Sequence, residues 1–354
     1  MLDRLNKLKE NMAALELDGL VVTDRADVFY LSGLLSSNCL LLISQADDIL
    51  LTDSRYILAA QRAREQFEIR EVNYSLEREA GTIIKNMRLK RVGVQDLSLS
   101  LAAYMELSRD AQGQFLPVGE MLREQRAVKD KNELDAIKRA QHITDSAFNK
   151  LLEYIKPGLS EADIASELEY LMRKSGADGF AFETIAAAGI NGAKPHAQPG
   201  EYKLKRGDML TLDFGAKKDG YCSDMTRTVA VGEPPNELRK IYNIVLDAHK
   251  RAKEFLRPGA GVREIDAIAR DYIRQQGYGE YFGHGLGHGV GIEIHELPVL
   301  SYKRDGMLLP GNVVTIEPGI YIPNIGGVRI ENMCFITESG YEDITRSDNN
   351  LIIL

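Results

Sequence analysis

Residues 147–177 read AFNKLLEYIKPGLSEADIASELEYLMRKSGA, and residues 248–278 read AHKRAKEFLRPGAGVREIDAIARDYIRQQGY. At a constant offset of 101 residues, Pro157 falls over Pro258, Gly158 over Gly259, Ile164 over Ile265, Arg173 over Arg274 and Gly176 over Gly277. Each copy has apolar residues at helical spacing, a Pro-Gly break, a second helical stretch and a glycine stop, with strand-like sequence after it. Two copies predict a duplicated α+β half rather than a solenoid, which needs at least ~3 shorter units. Related halves that face each other leave a cleft, a common place for a ligand.

Upstream of the repeat the pattern changes. The chain has 354 residues, enough for two domains of ~100–200 residues each. GLVVT, NCLLLIS, DILLTD and RVGVQD read as short buried strands, and SRYILAAQRAREQF reads as a helix between strands. This predicts an α/β domain over residues 1–122. It holds no Gly-rich phosphate loop, so no nucleotide is expected there. The composition turns charged in REQRAVKDK, residues 123–131, which places the second domain at 123–354.

Composition narrows the partners. With 52 acidic and 44 basic side chains the net charge is −8, the wrong sign for a nucleic-acid binder. No apolar run reaches the ~18 residues of a membrane span. Leu2, Leu5, Leu8 and Met12 recur at helical spacing among acidic residues, which reads as an amphipathic first helix and not a secretory leader. The three cysteines, Cys39, Cys222 and Cys334, are scattered, as suits a reducing compartment, and the cytoplasm is the expected location.

The chemistry lies in three later segments. MLTLDFGAKKDGYCSDMTRTVAV, residues 209–231, reads as a β-hairpin turning at KKDG. A four-residue loop sets Asp213 directly opposite Asp224, whereas a tight Asp-Gly turn makes them diagonal neighbours. Period-two alternation puts both on one face in either register. Solvated aspartates on an exposed face are the bland reading. The apolar flanks Met209, Leu210, Leu212, Phe214, Val229 and Val231 favour an interior pair, which needs a positive charge between its members.

FGHGLGHGVGIEIHELP, residues 282–298, gathers three of the six histidines, His284, His288 and His295. Its glycines preclude a stable helix and permit close backbone approach, while IEIHE reads as a strand. Histidines so concentrated in an acidic protein point to ligation or proton transfer. VVTIEPGIYIPNIGGVRIENMCFIT, residues 313–337, reads as two strands and a loop, with Glu317 at the end of one and Glu331 inside the other. Alternation puts Arg329 and Met333 on the face of Glu331, and a Glu331–Arg329 surface pair is the bland alternative. Four carboxylates and an imidazole form a hard donor set suited to Mn²⁺ or Co²⁺, and also to Zn²⁺ or Fe²⁺. Two divalent ions would balance four carboxylates, which implies metal-assisted hydrolysis of an unreactive bond. No GxSxG-type nucleophile motif is present.

In order and spacing, TLDFGAKKDGYCSDMTRT, HGLGHGVGIEIHE, TIEPGIY and GVRIEN resemble the Xaa-Pro peptidases, the prolidase and aminopeptidase P family of pita-bread metallopeptidases. The resemblance extends over nearly the whole chain, residues 1–122 looking like the creatinase-type N-terminal domain. It implies that Asp213 binds one metal, that Asp224 and Glu331 bridge two, and that His288 and Glu317 hold the second. It further implies that Glu317 carries a proton to the leaving nitrogen and that His295 stabilises the oxyanion. His196, in NGAKPHA, would lie near the scissile amide, His284 would line the substrate pocket, and Arg329 would contact substrate or orient Glu331. Short proline-containing peptides are the implied substrates and a homodimer the implied assembly. Val299 stands where dipeptide-cleaving relatives carry an arginine, which favours longer peptides. A creatinase-like hydrolase or a non-catalytic peptide-binding protein on the same fold is the alternative, and either would be free to lose the five ligands.

Overall fold

The computed structural model describes residues 2–354. The chain divides into two compact units, residues 1–126 and 127–354. A helix over Met121–Ala127 crosses this division, so the charged stretch that begins at Arg123 continues a helix of the first unit.

The first unit is a six-stranded mixed sheet of β1 (Gly19–Val22), β2 (Cys39–Ser44), β3 (Asp48–Thr52), β4 (Glu68–Glu71), β5 (Arg91–Val94) and β6 (Gln114–Pro117), in the order β4-β3-β2-β1-β5-β6. Leu5, Leu8 and Met12 of the first helix, Leu2–Ala14, are buried as their spacing requires. The helix expected over SRYILAAQRAREQF shrinks to one turn, Ile57–Ala60, and a 3₁₀ turn, Gln61–Ala63. The amides of Gln66 and Phe67 both close back on the Ala63 carbonyl. That turn buries Phe67, and β4 follows immediately, so core placement of one aromatic overrides local helix propensity.

The second unit carries out the duplication. Helices Glu161–Lys174 and Val262–Gln275 occupy equivalent positions of the two copies. Gly158 and Gly259, at φ 93° and 78°, make the Pro-Gly turns. Their amides donate to the carbonyls of Leu204 and Leu308, so each half anchors its turn in the same way. The first half contributes β7 (Gly179–Phe180), β8 (Ile185–Ala188), β9 (Asp208–Phe214), β10 (Ala216–Lys218), β11 (Tyr221–Cys222) and β12 (Met225–Val231). The second contributes β13 (Gly287–Gly289), β14 (Glu296–Leu300), β15 (Val313–Ile316), β16 (Gly319–Ile322), β17 (Gly326–Arg329), β18 (Asn332–Ile336) and β19 (Tyr341–Asp343). Each half buries its own apolar cluster between helices and sheet, centred on Phe148, Leu168 and Phe214 in one and on Val245, Ile265 and Val314 in the other.

Each half also contains one long hairpin that changes sheets midway. β9 pairs with β12 and β10 with β11 in a single register, Phe214 facing Met225 and Lys218 facing Tyr221. The turn is therefore the tight one, Asp219–Gly220, with φ 52° and 83° at its two central residues. Asp213 faces Thr226, and Asp224 is its diagonal neighbour. β15 pairs with β18, and β16 with β17, in the same broken fashion. At the first break, a Cβ on Gly215 would lie 1.9 Å from the Ser223 carbonyl oxygen, so only glycine lets the two arms pass.

Candidate active site

The hairpin breaks carry the carboxylates. Asp213 lies near the end of β9 and Asp224 just before β12, while Glu317 follows β15 and Glu331 precedes β18. The two hairpins are laced together by backbone and buried side chains. Glu331 N–H donates to the Thr226 carbonyl at 3.1 Å. The Thr228 hydroxyl donates to the Arg329 carbonyl at 2.9 Å. Arg227, fully buried, donates to the carbonyls of Glu331, Ser347 and Asp348 and to Asn332 Oδ1. This lacing holds Asp224 against Glu331.

β13 brings the imidazole. A Cβ on Gly287 would meet the Thr315 carbonyl at 2.0 Å, and one on Gly289 the Leu297 carbonyl at 2.1 Å. The glycines thus admit β13 between β14 and β15, and the close approach is to neighbouring strands. His288 Nε2 lies 3.6 Å from Asp224 Oδ2 and 3.4 Å from Glu317 Oε1. Potential ligand atoms of Asp224, His288 and Glu331 all lie within 4.8 Å of one another.

A cavity of about 590 Å³ is lined by Asp213, Asp224, His288, Glu317 and Glu331, and by His196, His284, His295 and Arg329. The structure thus brings together every site residue read from the sequence. His295 is not on a strand. Residues 291–295 are a series of bends, and β14 begins only at Glu296, the last residue of IEIHE, because the Glu296 carboxylate accepts from the amides of Ile292 and Glu293 and closes that segment into a turn. The His288 and His295 rings meet edge to face at 4.4 Å. His196 is exposed on the cavity wall.

Arg329 lines the cavity and reaches Glu331 only through the Thr226 hydroxyl. It is 3% exposed, and each guanidinium nitrogen donates to protein. Nη2 reaches Asp213 Oδ2 at 2.5 Å, Nη1 the Tyr321 hydroxyl at 2.8 Å and the Pro195 carbonyl at 3.3 Å, and Nε the Thr226 hydroxyl at 3.1 Å. Its geometry orients Asp213 and Tyr321. Cys222, buried with its thiol pushed up to about 12 by burial, donates to the Ile292 carbonyl and packs. Three residues of the site escaped the sequence reading. The Thr226 hydroxyl donates to Glu331 Oε2 at 2.7 Å, and the Thr315 hydroxyl to Glu317 Oε1 at 3.3 Å. The Tyr321 hydroxyl also bonds His284 Nε2 at 2.9 Å. Alternation from Asp224 and from Glu317 already puts the two threonines on the right faces.

The charges are unbalanced. Burial, and then Glu331, Asp213 and Glu317, push the Asp224 carboxyl well above the carboxylate range. Burial and Glu331 do the same to Glu317, and burial with Asp213 lifts Glu331 to about 8. Burial and His295 lower His288 to about 4, and burial with Arg329 lowers His284 to about 4. Asp213 Oδ1 and Glu331 Oε1 are buried without a hydrogen-bond partner among the described residues. A neutral imidazole, repelling carboxylates and orphaned oxygens form a donor set that fits divalent cations.

Residues 135–338 match the family described as Metallopeptidase family M24, and residues 4–128 match the Creatinase/Prolidase N-terminal domain. The chain belongs to metallopeptidase family M24. Among curated relatives, an Xaa-Pro dipeptidase of Pyrococcus furiosus is 38% identical over 99% of this chain and 100% of its own length. An Xaa-Pro dipeptidase from Bacillus anthracis superposes with a TM-score of 0.97 at 40% identity, covering 100% of this chain and 99% of that one. An X-Pro aminopeptidase from Thermotoga maritima superposes with a TM-score of 0.90 at 36% identity, covering 96% and 98%. Full-length agreement with M24 members accounts for both units and for the α/β plus pita-bread architecture. No helix among the described residues is long and apolar enough to cross a membrane.

Proposed function

We propose that this protein is an Xaa-Pro metallopeptidase that hydrolyses the bond before proline at the amino terminus of short peptides, using two divalent cations. The observation that carries the reading is the convergence of Asp213, Asp224, His288, Glu317 and Glu331 on one cavity, with Asp213 Oδ1 and Glu331 Oε1 buried and unpartnered among the described residues. Asp213 would hold one cation and His288 with Glu317 the other, with Asp224 and Glu331 between them. When bound, the cations polarise the scissile carbonyl and make water acidic enough to attack at neutral pH. Mn²⁺ or Co²⁺ suits this set best, with Zn²⁺ or Fe²⁺ as alternatives.

The side chains do the rest. Glu317 takes the proton of the attacking water and delivers it to the proline nitrogen as the C–N bond breaks. His295 lies below its ordinary pKa chiefly through burial, so it is neutral near pH 7 and keeps one N–H to donate to the developing oxyanion. His284, fixed by Tyr321, lines the substrate pocket, and His196 reaches towards the scissile amide. That amide lacks an N–H and has a restricted φ, so a dedicated pocket is needed. Val299 lines the same cavity and leaves room for chain beyond proline, which favours aminopeptidase over strict dipeptidase activity. The five retained donors, and relatives named as peptidases, weigh against a creatinase-like or non-catalytic role. The cysteine pattern supports a cytoplasmic protein, and the family resemblance supports a homodimer.

The test is metal dependence. Exhaustive chelation should abolish hydrolysis of Met-Pro and Met-Pro-Ala, and added Mn²⁺ or Co²⁺ should restore it. Full activity in a preparation shown to be metal-free by elemental analysis would overturn the reading.

A further inference from the structure

His295 is carried by a turn outside the strands. Among the described residues the segment 291–295 belongs to no strand; within it the Gly291 amide donates to the Glu293 carbonyl at 3.0 Å, and a buried carboxylate braces it from behind. Glu296 Oε1 accepts from the Ile292 amide at 3.0 Å and from the Glu293 amide at 3.2 Å. A Cβ on Gly291 would lie 2.3 Å from Glu296 Oε2, so glycine is required for the carboxylate to tuck under the turn. The turn also leans on the first hairpin, through Cys222 N–H to the Gly291 carbonyl at 2.7 Å and Lys217 Nζ to the Ile292 carbonyl at 3.2 Å.

A buried carboxylate in this position needs a cation, and Lys129 supplies it. Lys129 Nζ lies 3.0 Å from Glu296 Oε2, and the two side chains are 0% and 2% exposed. Lys129 is itself fixed by its backbone amide, which donates to the Gly311 carbonyl at 2.8 Å, and by Nζ donating to the Ala127 carbonyl at 3.4 Å. Neither Lys129 nor Glu296 is among the five metal-donor candidates. An ion pair so desolvated is costly to build and costlier to break, and its best-attested use is to specify one arrangement.

We propose that Lys129 and Glu296 are positioning residues for catalysis, forming a buried ion pair whose task is to hold His295 over the substrate carbonyl. The inference rests on the oxyanion role given to His295 above. Lys129 fixes Oε2, which leaves Oε1 aimed at the two amides, and the turn they close points His295 and Ile294 into the cavity. Without the lysine, the carboxylate seeks water or a proton, the turn loosens, and His295 loses its place. Displacements of ~1 Å at a catalytic group cost up to ~100-fold in rate.

The experiment is a double-mutant cycle of Lys129→Met with His295→Ala, reading kcat, KM and bound metal in the assembled, metal-loaded enzyme. We expect Lys129→Met to lower kcat by roughly tenfold to a hundredfold while KM moves less than about threefold and metal content stays at the wild-type value. In the His295→Ala background the same substitution should change kcat by less than about twofold, because residues acting through one group are not additive. If Lys129→Met does not fold, Glu296→Gln carries the same cycle, since its amide oxygen can still accept while the ion pair is lost. Lys129→Met with wild-type kcat, or with an equal further loss in the His295→Ala background, overturns the proposal. Wild-type kcat in His295→Ala alone would instead overturn the oxyanion role.

Discussion

Thr226→Val removes a single hydroxyl from the middle of the site and leaves its shape intact. The side chain is fully buried on β12, and valine is isosteric and favourable in a strand. The hydroxyl donates to Glu331 Oε2 at 2.7 Å and accepts from Arg329 Nε at 3.1 Å. It therefore links a bridging carboxylate candidate to the arginine that orients Asp213. A hydrogen bond to a charged group is worth ~1.5–3 kcal/mol, and each ~1.4 kcal/mol is a factor of ten in a binding constant. Loss of such an outer partner typically weakens a metal site by ~10–100-fold. We therefore expect metal affinity, measured by competition with a fluorescent chelator, to fall by ~10–100-fold, with activity restored at saturating metal. Thr211→Val is the control: on the same sheet face it removes only a bond to the Thr228 hydroxyl, and it should leave metal affinity within about threefold of wild type. Wild-type metal affinity in Thr226→Val would refute the argument that Glu331 is held for a cation by this hydroxyl.

Asp224→Asn and Glu331→Gln keep shape and remove charge, so each should lose at least one metal per chain and most of its turnover. Two metals and wild-type kcat in either variant would exclude a bridging role. Stability of the metal-free protein should fall as pH rises from about 6.5 to 8. Over that range folded Glu331, raised from 4.5 to about 8, still holds a proton that the unfolded chain has released. Asp224 and Glu317 are raised as well, whereas His284 and His288, lowered from 6.5 to about 4, act in the opposite sense only below about pH 6.5. A chelated sample whose melting temperature climbs across pH 6.5–8 would contradict this. Val299→Arg should shift preference towards dipeptides by ~1–3 kcal/mol if its guanidinium pairs the free carboxylate. Comparing kcat/KM for Met-Pro and Met-Pro-Ala on both proteins decides it, and a wild type that cleaves only Met-Pro would make it a strict dipeptidase.

The duplication and the five candidate donors that line one cavity were legible because each depends on a local pattern. Gly158 with Gly259, and Gly176 with Gly277, hold left-handed backbone at matched positions, and few residues other than glycine tolerate it. The carboxylates stood out as charges inside apolar strands. What sequence could not supply was the second partner of each polar group. Arg329 could be assigned to Glu331 by alternation, yet it binds Asp213 across the hairpin junction. IEIHE alternates as a strand should, yet the Glu296 carboxylate folds it into a turn. The first outcome depends on Asp213, far away in the chain, and the second on a side chain that folds back on its own segment; periodicity within one segment carries no information about either.

The placement of the carboxylates follows from the broken hairpins. An unbroken strand pairs its backbone on both sides and alternates its side chains between faces, so it can aim few groups at one point. Where β9 and β12 change sheets at Gly215 and Ser223, and β15 and β18 change sheets at Glu317 and Glu331, side chains on either side of the break turn towards a common centre. Duplication supplies two such breaks, and the bonds between Thr226 and Glu331 and between Thr228 and Arg329 clamp them face to face. The halves then diverge. The second half adds β13 with His288, held between β14 and β15 by the close approach of Gly287 and Gly289. The first half leaves Asp213 paired to an arginine from the second. One side of the centre is therefore carboxylate and guanidinium, and the other carboxylate and imidazole. That asymmetry would give two cations different surroundings, with Glu317 beside His288 and the His295 ring next to it.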